Sequence, residues 1–178
     1  MCANISAQSK QTKSLTSLVS AAFAAAYELA PEAVRSSGTL AFLETEIEGT
    51  GGAILRILRE LPRYELAFVA AASIPLDRRN DARANALRFI TTFALPTQIG
   101  RHVGGALAYR LVSRHFSGLG SYAEIADVHG GSPSTIGRHA RAISSALWAE
   151  ERSIWTRLAS RLSAVCQLPF DMSFSDAR

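Results

Sequence analysis

Cysteine is scarce in this 178-residue chain: Cys2 and Cys166 stand near opposite ends, with no C-x-x-C partner. That excludes a disulfide framework and a zinc knuckle, and makes a reducing cytoplasm the expected setting. No two of the histidines are four residues apart and no His-Glu-x-x-His occurs, so neither a metal nor a cofactor is expected. Gly49-Thr50-Gly51-Gly52 is glycine-rich but lacks the Lys-Ser/Thr that completes a phosphate-binding loop, and reads as a flexible connector. Nothing in residues 1–96 stands out as a nucleophile constellation, and an enzyme is not expected. Sustained period-two alternation is also missing, which argues against a sheet.

Hydrophobic residues make up 48% and charged residues 19%, the profile of a soluble globular protein of one domain. Lys10 and Lys13 are the only lysines, so arginine carries almost all the positive charge. The formal charge of +4 is unevenly spread: residues 97–166 hold eight Arg against four acids, residues 1–96 ten Lys+Arg against nine. A basic half in a nearly neutral chain points to a polyanionic partner, although GC-rich coding also enriches Ala and Arg. Leu15 to Ala26, preceded by the two lysines, has a faint signal-peptide look, but Thr16, Ser17 and Ser20 interrupt it and it is too short to cross a bilayer. Leu15, Leu18, Val19, Ala22, Phe23 and Ala26 fall at helical spacing, so a core helix is expected there and no membrane partner.

The organisation reads as all-α. Residues 1–13 are expected to be a flexible N-terminus and 14–116 a helical body, followed by a two-helix motif at 117–142. A long helix at 143–166 and a tail at 167–178 complete one compact domain. Within the body, helices are expected at about Leu15–Ala30, Thr39–Glu48, Ala53–Leu61, from Pro62 to Ser73, at Ala82–Leu95 and at Thr97–Phe116. Gly104 and Gly105 inside the last of these predict a close helix crossing or a kink.

The segment SYAEIADVHGGSPSTIGRHARAI, Ser121 to Ile143, carries most of the functional information. Ser121 with Glu124 three residues on fits a capping box. Ile125 and Ala126 supply an apolar side and a small crossing residue, and Gly130 suits a left-handed turn. Ser132 offers a second N-cap and Pro133 a first helical position. On a wheel with Ser134 at zero, Ile136, Ala140, Ile143 and Leu147 fall at about 180–240°, while Arg138 and Arg141 fall within about 40° of Ser134. One face can therefore pack on a core while the other presents donors to base edges and phosphates. Arginine suits both tasks. Two ordinary packed helices with solvated arginines are the competing reading.

This pattern resembles the helix-turn-helix of bacterial regulators and the promoter-reading region of sigma factors: Ile125-Ala126, Gly130, Ser132, Thr135-Ile136 and Arg138 match. It departs at Gly131, where the family has an aliphatic wedge, and at His129, usually apolar. The resemblance implies duplex-DNA binding through Ser132, Ser134, Thr135, Arg138, His139 and Arg141. More loosely, the layout resembles phage late-gene antitermination regulators, which implies loading onto RNA polymerase. The paired cysteines some members carry are missing from Leu76 to Ala94.

Ile154, Leu158, Leu162 and Val165 continue the apolar stripe, with Trp148 and Trp155 at its edge, and no Gly or Pro interrupts 138–168. One helix of about 50 Å is expected, with a bend near Ser144-Ser145 as the alternative. The stripe either packs on the N-terminal helices or forms a homodimer seam for two half-sites. Two further functions fit: an α-helical interaction adaptor, and the small subunit of a phage DNA-packaging enzyme.

Overall fold

The computed structural model describes residues 3–29, 46–74 and 81–166. Among them every regular element is a helix: α1 Ala3–Leu29, α2 Gly49–Arg59, α3 Arg63–Ser73, α4 Asp81–Phe93, α5 Thr97–Val103, α6 Gly105–Ser117, α7 Tyr122–His129 and α8 Pro133–Cys166. The all-α reading holds.

The core forms where apolar stripes of these helices converge. Val19, Phe23 and Ala26 of α1 meet Leu55 and Leu58 of α2 and the nearly all-apolar α3, in which Phe68 through Ala71 are fully buried. α1 packs on α2 and α3, α4 on α3 and α6, and α8 runs against α2, α3, α5, α6 and α7. Phe68 meets Phe116 edge-on at 5.9 Å, joining α3 to α6. Two polar ties reinforce this assembly. Ser20 Oγ donates to the Ser73 carbonyl at 2.8 Å. Buried Arg83 donates from Nε to the Ala71 carbonyl at 3.1 Å, which satisfies a group whose burial lowers its pKa.

Several boundaries depart from the sequence expectation. The first helix begins at Ala3 rather than near Leu15: residues 3–29 contain no Gly or Pro to stop it. Of the expected Thr39–Glu48 helix, residues 39–45 lie outside the described residues, and 46–48 are not helical. The Gly49–Gly52 run is no connector but the first turn of α2. A Cβ on Gly52 would stand 1.7 Å from the Ile47 carbonyl oxygen, so the chain approaches itself where only glycine fits. The single helix expected over Thr97–Phe116 is broken at Gly104 (φ 74°, ψ 145°), more than the kink its glycines suggested.

α8 is continuous over 34 residues, with no break at Ser144-Ser145. Ile154, Trp155, Leu158 and Leu162 of the stripe are buried within the chain. It packs on the chain's own helices; Val165 alone of the four aliphatic positions that continue the stripe stays exposed.

Candidate nucleic-acid interface

α7 begins with the expected capping box. The Ser121 hydroxyl accepts from the Glu124 amide at 3.1 Å, and the Glu124 carboxylate accepts from the Ser121 amide at 2.7 Å. Donation from the Ser121 backbone amide, and next from the Ser121 hydroxyl, holds the Glu124 carboxyl below its ordinary value, with a smaller contribution from Arg110. Ile125 and Ala126 point into the core, and the Gly130 amide closes the helix on the Ala126 carbonyl at 2.8 Å.

The turn differs in kind from the one anticipated. Gly130 has φ 80° and ψ 168°, a region almost restricted to glycine rather than the left-handed helical one, and Gly131 follows with φ 94°. A Cβ on either residue would meet nothing within 4 Å. The aliphatic wedge of the helix-turn-helix pattern therefore has neither backbone nor neighbours to support it at Gly131. Its place between the helices is taken by Tyr122, whose ring lies 3.4 Å from where a Gly137 Cβ would be. Arg114 fixes that ring from the other side. Its guanidinium sits 4.5 Å from the Tyr122 centroid and donates to the Gly118 carbonyl at 3.1 Å and to the Gly120 carbonyl. His129, the second departure, is exposed and so needs no apolar replacement.

α8 starts on Ser132. Its hydroxyl accepts from the Thr135 amide at 3.2 Å and donates to Thr135 Oγ1 at 3.1 Å, while its carbonyl accepts from the Ile136 amide at 3.0 Å. Pro133 has no amide, so Ser134 keeps the one first-turn N–H that these bonds leave free. Thr135 Oγ1 also accepts from Arg138 Nη2 at 3.3 Å.

Ser132 is exposed at the cap of α8, and Ser134, Arg138 and Arg141 are exposed on one side of the helix. Ile136, Ala140, Ile143 and Leu147 are buried on the other. Thr135 and His139 are half-buried between the two faces. The structure thus brings three of the six expected residues onto one open face, with Ser132 at the helix start and the other two at the edge of that face. Among the described residues, neither Arg138 nor Arg141 pairs with a carboxylate.

The sequence reading missed the parts that hold this surface in place: Arg114, Tyr122 and a polar trio centred on His115. The His115 side chain is only 5% exposed; Nδ1 lies 3.1 Å from Ser144 Oγ and Nε2 3.1 Å from Glu151 Oε2. It meets Phe116 and Trp148 edge-on. Ser144 and Glu151 are seven residues apart, hence on one side of α8, and this spacing was the available signal.

No protein-family model, curated protein or solved structure matches this chain. Among the described residues no cluster of His, Cys, Asp or Glu could hold a metal ion, and no helix is long and apolar enough to cross a membrane.

Proposed function

We propose that this chain is a transcription regulator that binds duplex DNA through the α7–α8 helix-turn-helix, with the first turns of α8 in the major groove. The observation that carries this reading is the arginine face: Arg138 and Arg141 project from the side of α8 opposite its buried stripe, with no carboxylate partner among the described residues. Arg138, steadied by Thr135 Oγ1, suits bidentate donation to guanine or to a phosphate. Ser134 offers its hydroxyl and its amide to a phosphate at the helix start. Thr135 then acts chiefly by positioning Arg138, and His139 and Arg141 extend the contact along the backbone. Because α8 is one rod embedded in the body, the reading surface cannot swing independently of the core. Within this reading, docking on RNA polymerase is the role that the antitermination resemblance adds.

Fluorescence anisotropy of a labelled random duplex, titrated across a salt series, tests the proposal. The wild-type chain should bind with a steep salt dependence, and Arg138→Ala/Arg141→Ala should lose most of that binding while keeping its helical content. If Arg138 reads a base, Arg138→Ala alone costs about 1–3 kcal/mol on the selected site and relaxes specificity there; if it meets only a phosphate, affinity falls uniformly and the salt slope drops by about one. A folded chain that binds no duplex at low salt would overturn the reading and favour an interaction adaptor.

A further inference from the structure

A groove of 570 Å³ lies between α3 and α4, away from the residues assigned to DNA. Its floor is made of small side chains, Ala67, Ala82 and Ala86, all buried. Leu66, Phe89 and Phe93 form its apolar walls. Phe89 and Phe93 pair at 4.8 Å, and Phe93 is 67% exposed, the only aromatic among the strongly exposed large hydrophobics of the described residues. α4 runs alongside the groove from Ala82 to Phe93, about 16 Å, or three turns of helix.

The charge at this groove has one sign. Arg63 stacks over the Phe89 ring at 5.3 Å, and Arg88 is held by Asn85 Oδ1 at 2.8 Å. Both are exposed, neither pairs with a carboxylate among the described residues, and no acidic residue lines the groove. Elsewhere on this body exposed arginines do find carboxylates, as Arg157 does with Glu65. An apolar trough of helical length, edged by two pre-positioned guanidinium groups, complements an amphipathic helix with aliphatic anchors and acidic flanks.

We propose that the α3–α4 groove is a docking site for an acidic amphipathic helix of a partner protein. The anchors enter over Ala67, Ala82 and Ala86 and cover Phe93, while flanking carboxylates pair with Arg63 and Arg88. This surface is independent of the DNA-binding reading: its arginines are on a different helix pair, so the two stand or fall separately.

The test uses the full chain and a labelled synthetic helix of about four turns, leucines on one face and glutamates on the other, beside the same helix with lysines replacing the glutamates. Anisotropy should show saturable binding of the glutamate helix and none of the lysine helix. Arg63→Glu/Arg88→Glu should weaken the glutamate helix about tenfold or more and gain the lysine helix, and Phe93→Ser should weaken it as well. All these positions are exposed, so the circular dichroism melts should match wild type, and duplex binding should be unchanged. Equal binding of both helices, no saturable binding, or indifference to the charge reversal would overturn the proposal. Self-association that Phe93→Ser abolishes, with no peptide bound, would instead assign the groove to a second copy of the chain.

Discussion

The two halves of α8 carry the same kind of residue in different company. In the first half, Arg138 and Arg141 stand on an exposed face with no carboxylate partner among the described residues. In the second half, Arg157 reaches Glu65 at 2.9 Å from Nη2 and 3.1 Å from Nε, and Arg161 lies 3.8 Å from Glu60. The backbone is one uninterrupted helix, and both halves bury an apolar stripe. What separates them is which surface lies beside the polar face: the carboxylates just before and within α3 in one case, open solvent in the other. A helical wheel cannot make that distinction, because it sees only the arginine's own helix. The fold pairs two arginines of this helix with its own carboxylates and leaves the other two without one among the described residues.

The strongest way to break this comparison is to attack the second half where it is buried. Leu158 is fully enclosed, and Leu158→Ala should cost about 2–5 kcal/mol of folding stability, read from urea denaturation. Duplex affinity of the folded fraction should be unchanged. A neutral stability effect accompanied by loss of an oligomer would instead return the stripe to the role of a dimer seam.

A smaller effect sharpens the first half. Ser121→Ala removes the side-chain cap of α7 and should cost about 0.5–2 kcal/mol. Acid adds a second handle. Glu124 is depressed in the folded state, so its carboxylate stabilises the fold at neutral pH, and that contribution is lost as the pH falls through the depressed folded value. Glu124→Gln should remove this part of the acid dependence, and comparing urea midpoints of the two chains between neutral and acid pH checks it.

Much of this architecture was legible in the sequence where local chemistry decides it. The Ser121–Glu124 box, the Ser132 cap and the opposed faces of α8 all depend on residues within one turn or one helix, and all three are present. The stretches that misled the reading depend on distant or backbone contacts. Gly52 looked like part of a loop because its reason, the Ile47 carbonyl, is a backbone group with no sequence signature. Gly131 looked like a defect because the helix-turn-helix pattern expects a wedge there, whereas the spacing is set by Tyr122 against Gly137 and by Arg114 above it. His115 carried no local signal because Ser144 and Glu151, which meet both its ring nitrogens, lie 29 and 36 residues away. The polarity of α8 was visible, but its covering partners were not.

The smallest expected effect is also the most direct control on the comparison. Arg157→Ala removes a surface ion pair from the same helix that carries Arg138, and half of the Arg157 side chain is solvent-exposed. Such pairs contribute about 0.2–1 kcal/mol in double-mutant cycles, less as salt screens them. Arg157→Ala and Glu65→Ala should therefore each lower stability slightly, and the double variant should show a coupling of that size which shrinks at high salt. Neither should change duplex affinity or its salt slope, since this arginine's charge is already met inside the fold. Both Arg157→Ala and Arg138→Ala subtract one positive charge from α8. If net charge alone drew the chain to DNA, the two would weaken binding alike; if the free arginine face does so, only Arg138→Ala will.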